Sequence, residues 1–227
     1  VAPAVPGSAA AARAVEEVED GSVLGLGTGR AAAAFVRVLG ARVAEGLRVR
    51  GVPTSEATAA LARDLGIPLV ELHEVAELDA TFDGADEVDP QLDCIKGYGG
   101  ALVREKIVAA SSRRLVILVG AEKLVPTLGT RGKLPVEVVP FGVPLCRRRL
   151  QAMGLDAALR LGEDGEPIAT DNGNCVLDCK IGPLDDPVGL DRAIQALPGV
   201  LGTGLFLGMA QEVIVERADA VEVLERP

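Results

Sequence analysis

The sequence predicts an α/β protein in which a parallel sheet is covered on both faces by helices and a small α+β unit follows. Three observations carry this. Short apolar runs alternate with helical patterns over the first half of the chain, and most of those runs are apolar throughout, as strands buried on both faces are. After about Lys123 the texture changes to amphipathic strands, hairpin turns and two short helices.

The elements follow in order. Ser22-Val-Leu-Gly-Leu reads as a buried strand, and Gly25-Leu-Gly-Thr-Gly turns it into an Ala-rich helix from about Arg30. Leu47-Arg-Val-Arg-Gly-Val is a second strand. Ser55 to Leu65 is a helix, opened by the hydroxyls of Thr54 and Ser55. Pro68-Leu-Val-Glu and Ala80-Thr-Phe-Asp read as strands, and Arg114-Leu-Val-Ile-Leu-Val-Gly is the clearest buried strand of all. Beyond the change of texture, Leu134-Pro-Val-Glu-Val-Val is a strand, Val143 to Met153 a short basic helix, and Ala157-Ala-Leu-Arg-Leu a strand. Glu163-Asp-Gly-Glu-Pro and Asp171-Asn-Gly-Asn are turns, Cys175-Val-Leu-Asp-Cys is a strand, and Asp186-Pro187 opens a helix to Ala196. Glu212-Val-Ile-Val-Glu is a last strand, able to return to the main sheet.

Bulk properties exclude several function classes. A chain of 227 residues that is 48% apolar can bury a substantial core as one domain, or as a main domain with a small second one. No apolar run approaches a membrane span. Val1 to Ala12 lacks the basic region and long apolar stretch of a signal peptide, so a cytoplasmic location is expected. A net charge of −10, without basic runs or aromatic platforms, argues against nucleic acid and anionic membrane. It leaves room for a phosphorylated small molecule held by a few local donors. Cys94, Cys146, Cys175 and Cys179 follow no zinc or redox spacing and read as small buried hydrophobes. His73, the only histidine, lies in a polar run and reads as a surface residue. The chemistry therefore falls to carboxylates, lysines and backbone amides.

Four strand-to-helix junctions could hold that chemistry. Gly25-Leu-Gly-Thr-Gly places backbone N–H groups at a helix start, a natural anion site. It misses the dinucleotide fingerprint, because Arg30 stands where the third glycine belongs; a plain tight turn explains it as well as a phosphate site does. Thr54-Ser-Glu-Ala-Thr adds hydroxyls at the next junction. Asp83-Gly-Ala-Asp-Glu-Val-Asp packs four acids into seven residues. This is either a solvated acidic loop or a site at the strand's carboxyl end; the spacing is not that of an EF-hand. Lys96-Gly-Tyr-Gly-Gly-Ala-Leu-Val-Arg-Glu-Lys-Ile leads a lysine through a glycine-rich loop into a helix. Leu102, Val103 and Ile107 mark that helix's buried face. At ~100° per residue Glu105 then lies roughly 140° from its centre, so periodicity makes it an exposed glutamate.

Taken together, these segments resemble type A ribose-5-phosphate isomerases. The likeness continues through Ala121-Glu-Lys, Pro135-Val-Glu-Val-Val-Pro-Phe-Gly, Thr170-Asp-Asn-Gly-Asn, Pro198-Gly-Val and Thr203-Gly-Leu-Phe, in order along nearly the whole chain. The resemblance implies a Rossmann-like main domain at 1–127 and 203–227, a ferredoxin-like lid domain at 128–202, and a homodimer or else a tetramer. It implies interconversion of ribose 5-phosphate and ribulose 5-phosphate without cofactor or metal. By position it makes Glu105 the general base, and Asp83 and Asp86 the acids for ring opening and hydroxyl protons. Lys96 with the Gly97, Tyr98, Gly99 and Gly100 backbone would steady an enediolate oxygen. Gly27, Thr28, Gly29, Arg30, Ala31, Ser55, Gly84, Ala85 and Lys123 would contact the sugar phosphate. The chain departs from the family at Gly29-Arg30-Ala31, where Gly-Ser-Thr is usual, and offers only Arg13 where the first helix tends to carry a lysine. Arg30 either replaces the missing hydroxyls with a guanidinium fork or points away. Two other readings share this pattern: a deaminase-type sugar-phosphate isomerase, disfavoured by the lack of a catalytic histidine, and a non-catalytic sugar-phosphate sensor.

Overall fold

The computed structural model describes residues 9–226, so residues 1–8 of the stretch compared with a signal peptide lie outside it. In chain order the elements are α1 (Ala9–Val15), β1 (Val23–Leu26), α2 (Arg30–Ala44), β2 (Arg50–Pro53), α3 (Glu56–Asp64), β3 (Ala80–Gly84), β4 (Glu87–Val88), β5 (Cys94–Ile95) and α4 (Leu102–Ala110). Then come β6 (Leu115–Gly120), β7 (Lys133–Val138), α5 (Val143–Ala152), β8 (Asp156–Leu159), β9 (Cys175–Lys180), α6 (Pro187–Gln195), β10 (Val200–Thr203), β11 (Leu205–Phe206), β12 (Ala210–Glu216) and β13 (Val221–Glu225). The chain divides into two units. One takes in the chain up to Ala85, Arg104–Lys123 and the chain from Gly208; the other is Asp86–Val103 with Leu124–Leu207.

The first unit is built on a six-stranded sheet of order β13-β12-β6-β3-β1-β2. Five strands are parallel and β13 runs antiparallel at the edge. Counting the parallel strands along the chain gives the order 2-1-3-4-5, a doubly wound sheet whose winding reverses between β1 and β3. Strands β1 and β6 are apolar because helices cover them. Phe35 of α2 stacks on Phe82 of β3 with ring centroids 4.3 Å apart, in a core shared with Leu24, Leu26, Leu39, Val116, Leu118 and Ile214. The returning strand near residue 212 is confirmed as β12, paired parallel to β6.

Two sequence expectations need correction here. The second strand begins at Arg50 rather than Leu47. Pro68-Leu-Val-Glu forms no strand of its own. It makes a single parallel bridge, Gly51 with Leu69, before the chain enters a short 3₁₀ turn at Leu72. Proline brings no N–H to a ladder, and the run is cut off by that turn within four residues.

In the second unit, β7, α5, β8, β9, α6 and β10 form a βαββαβ succession on an antiparallel sheet of order β10-β7-β9-β8. This is the ferredoxin-like order. Its core joins Leu134, Val136 and Val138 to Cys146, Leu150, Leu177, Cys179 and Ile194. A three-stranded sheet, β11-β5-β4, completes the unit. The cysteines behave as small hydrophobes: Cys94, Cys146 and Cys179 are buried, Cys175 is half-buried, and none is in a disulfide. Burial pushes the Cys179 thiol up to about 12, with Asp178 and Asp156 adding to the shift. His73 is exposed.

Candidate active site

The reversal of winding brings the carboxyl ends of β1 and β3 side by side in the first unit. Gly27 and Asp83 meet there because glycine has no Cβ: one built at Gly27 would stand 2.6 Å from the Asp83 Cα and closer still to its carboxylate. Gly25 faces Thr81 in the same way two residues earlier on each strand. The Thr28 N–H donates to Asp83 Oδ1 at 3.0 Å, and the Gly84 N–H donates to the same oxygen at 2.8 Å. Asp83 is fully buried. The acidic run is therefore not a solvated loop at this point.

A hydroxyl cluster lies beside it. Thr28 Oγ1 is 2.7 Å from Thr54 Oγ1 and 2.8 Å from Ser55 Oγ, while Ser55 caps α3 by accepting the Thr58 N–H. Thr54 and Thr58 turn their hydroxyls inward, to the carbonyls of Leu26 and Gly27. By contrast α2 opens without a side-chain cap. Gly29 sits at its N-cap with φ of 99°, nothing would meet a Cβ there, and Arg30 beside it is exposed. The first-turn N–H groups of a helix have no acceptors within it, so Arg30 and Ala31 present backbone donors at an open helix start. Gly84, Ala85 and Lys123 are part-buried at the ends of β3 and β6 on the same sheet edge.

Glu105 overturns the periodicity reading. It is 4% exposed, whereas Ile107 is 49% exposed. The buried stripe of α4 is Leu102, Glu105, Val108 and Ala109, three and four residues apart as a helix face requires. Ile107 faces solvent, so the helix is rotated from the orientation its apolar residues suggest. A buried carboxylate reads as polar in any apolar-face count, which is why the sequence could not place it. Arg104 next to it pairs with Glu56 in the first turn of α3 at 3.0 Å.

In the second unit, Asp86, Lys96 and the glycine loop come together. The Asp86 N–H donates to the Ile95 carbonyl at 2.8 Å, across β4 and β5, and its Oδ2 accepts the Tyr98 N–H at 3.0 Å. Lys96 is 2% exposed, with Nζ 5.3 Å from the centre of the Phe206 ring. Gly97 and Gly100 hold φ of 101° and 89°, and the Gly100 N–H closes the turn on the Gly97 carbonyl at 3.0 Å. Gly99 is exposed at the tip. The Tyr98 hydroxyl donates to the Lys133 carbonyl at 3.2 Å and stays protonated, because burial, then Glu87 and Asp86, push it up to about 12. Glu87 is fully buried and serves structure, accepting the N–H groups of Gly129 and Arg131.

Sequence reasoning missed Arg160, whose guanidinium bonds both the Asp178 carboxylate and the carbonyls of Gly97 and Tyr98. The available signal was a pair of opposite charges on two apolar strands, Arg160 after Ala157-Ala-Leu and Asp178 inside Cys175-Val-Leu-Asp-Cys.

Residues 50–220 match the family model described as ribose 5-phosphate isomerase A, or phosphoriboisomerase A. A ribose-5-phosphate isomerase A of Roseiflexus castenholzii is 53% identical over 220 residues, 96% of this chain and 94% of that protein. The solved ribose 5-phosphate isomerase A of Methanocaldococcus jannaschii superposes with a TM-score of 0.91 at 42% identity, covering 95% of this chain and 96% of the other. A D-ribose-5-phosphate isomerase in complex with phospho-erythronic acid gives 0.92 at 39% identity, with 96% of each chain covered. By these matches the chain belongs to the ribose-5-phosphate isomerase A family.

Proposed function

We propose that this protein interconverts ribose 5-phosphate and ribulose 5-phosphate through an enediolate, with Glu105 as the general base. The observation that carries the reading is the burial of Glu105 on a helix whose other buried positions are apolar, in a chain of this family. Glu105 removes the C2 proton of the open-chain aldose; the C–H electron pair becomes the C1–C2 double bond and O1 takes the negative charge. A proton passes from O2 to O1, Glu105 returns its proton to C1, and the C2 carbonyl forms. A positioned base of this kind contributes roughly 10²–10⁴-fold.

Asp83 and Asp86 handle ring opening and the hydroxyl protons. Lys96 and the amides of Gly97–Gly100 hold the oxyanion, where loss of one donor costs about 3 kcal/mol of barrier. The uncapped start of α2, with Gly27–Ala31, Ser55 and Lys123, receives the sugar phosphate. The relative bound to phospho-erythronic acid supports the scheme, since such an acid presents a planar carboxylate where an enediolate carries its two oxygens. A homodimer or tetramer in the cytoplasm belongs to the same reading; Phe141, 99% exposed, is an apolar side chain an assembly would cover. No helix among the described residues is long and apolar enough to cross a membrane.

The test is turnover. With a chelator present, the parent chain should convert ribose 5-phosphate to ribulose 5-phosphate, and Glu105→Gln should lose at least 100-fold in kcat, the lower end of a general base's contribution. A folded parent that binds the sugar without converting it would make the protein a sensor and end the enzyme reading.

A further inference from the structure

Arg160 is 11% exposed at its side chain and makes a fork of bonds to Asp178, Nε to Oδ2 at 2.9 Å and Nη2 to Oδ1. Its remaining nitrogen, Nη1, donates to two successive carbonyls of the glycine loop, Gly97 at 3.1 Å and Tyr98 at 3.0 Å. The backbone beneath it is fixed. The Arg160 N–H donates to the Val176 carbonyl at 2.9 Å, and the Arg160 carbonyl accepts from Ile168 at 3.1 Å. Asp178 in turn sits on β9, facing Ala158 of β8, with Lys133 Nζ at 3.7 Å. The same Lys133 ammonium lies 4.2 Å from the Tyr98 ring centre. All of these groups belong to the second unit.

The consequence follows from peptide geometry. In a trans peptide the carbonyl and the next N–H point opposite ways. With the Gly97 and Tyr98 carbonyls both turned to Arg160, the N–H groups of Tyr98 and Gly99 must leave on the far side. The first of these is found there, on Asp86 Oδ2 at 3.0 Å. The Gly100 N–H on the Gly97 carbonyl and the Tyr98 N–H on Asp86 also hold the first plane, whereas the second, between Tyr98 and Gly99, leans on Arg160, because Gly97 and Gly100 at either end tolerate both signs of φ. A flipped plane would present a carbonyl oxygen in place of an N–H.

We propose that Arg160, held by Asp178, is a positioning residue that fixes the direction of the loop amides at 98 and 99 and so keeps donors, not carbonyls, facing the side of Asp86. The inference rests on the reading of this loop as the enediolate-stabilising element. Lysine cannot replace Arg160, because a point ammonium cannot hold a carboxylate bidentately and cap two carbonyls at once.

The experiment uses the full chain with Arg160→Met, Arg160→Lys and Asp178→Asn, measuring kcat, KM for ribose 5-phosphate and inhibition by phospho-erythronic acid. Arg160→Met and Arg160→Lys should each lower kcat about tenfold to a hundredfold, as a misplaced oxyanion element does, with KM within about threefold. Inhibition by phospho-erythronic acid should weaken by the same factor as kcat/KM. Asp178→Asn should fall between these variants and the parent, and millimolar guanidinium should restore part of the Arg160→Met rate. Normal kcat in a folded Arg160→Met or Arg160→Lys would overturn the proposal. So would a loss of activity that only tracks the folded fraction, with inhibitor binding unchanged. Glu105→Gln, run alongside, separates the two levels: if it keeps full turnover the isomerase mechanism fails, and if it is dead while Arg160→Met is fully active only the positioning role fails.

Discussion

Gly27→Ala tests whether the close approach of β1 to Asp83 is what the candidate site depends on. The added methyl would stand 2.6 Å from the Asp83 Cα, against an ordinary carbon–carbon contact of about 3.5–4.0 Å. The Asp83 backbone must therefore retreat by about 1 Å, and side-chain rotation cannot relieve a clash with a Cα. Overpacking of this kind costs about 1–3 kcal/mol, or roughly 2–4 °C in Tm per kcal/mol for a chain of this size. The bond from the Thr28 N–H to Asp83 Oδ1, now 3.0 Å, is lost with the movement. A displacement of about 1 Å in a catalytic group lowers the rate on the order of 100-fold. Gly46→Ala, just past the far end of α2, is the matched control: open space surrounds it, but its φ of 109° makes alanine strained, so its cost should appear mainly in Tm. The assay is ribulose 5-phosphate formation with thermal unfolding followed by circular dichroism. Gly27→Ala with an unchanged Tm would refute the packing argument, and a lowered Tm with kcat within twofold of the parent would refute the role given to Asp83.

Arg30→Ala should raise KM for ribose 5-phosphate severalfold with little change in kcat if the guanidinium replaces the usual phosphate hydroxyls; an unchanged KM rules that contact out. A second effect concerns acidity. Burial, then the neighbouring Glu17, raise Glu212 to about 7, against the opposing pull of Arg114 and Arg13. Arg114 reaches both acids, at 3.0 Å to Glu17 and 3.6 Å to Glu212, Arg13 lies 2.8 Å from Glu17, and Glu225 faces Glu212 across β12 and β13. A raised folded-state value means the folded chain keeps a proton that the unfolded chain has released. This contribution to stability is full below the ordinary carboxylate range and is lost as pH rises to about 7. Glu212→Gln should flatten the fall in urea midpoint between pH 5 and pH 8; an unchanged slope would show that Glu212 is not the group holding that proton.

The fold was legible wherever local pattern and tertiary role coincide. Apolar runs gave β1, β3, β6 and the returning β12, and turn chemistry gave the α2, α3 and α6 starts, where Ser55 and Asp186 cap α3 and α6 as expected. Short strands set by long-range pairing were not visible: β4, β5 and β11 are two residues each and are defined by their pairing with one another. The excursion of residues 86–103 into the second unit was likewise hidden, because only contacts define it. Among candidate site residues, the glycine-bearing turns could be found from sequence since positive φ and close approach demand glycine. Glu105 could be named only through family resemblance, and Arg160 escaped because its partners are distant carbonyls with no side-chain signature.

The parallel pairing of β6 with β12 has a consequence for synthesis. Strand β6 ends at Gly120 and its neighbour begins only at Ala210, with β13 later still. At about 5–20 residues per second the ribosome leaves that edge waiting for several seconds. During that interval Val116, Ile117 and Leu118, fully sequestered in the finished protein, belong to a strand paired with β3 on one side but open along the other, an edge of the kind that templates aggregation. The hazard ends only when the last strands arrive, so yield in a cell should respond to chaperone supply and growth temperature more than the stability of the completed enzyme would suggest.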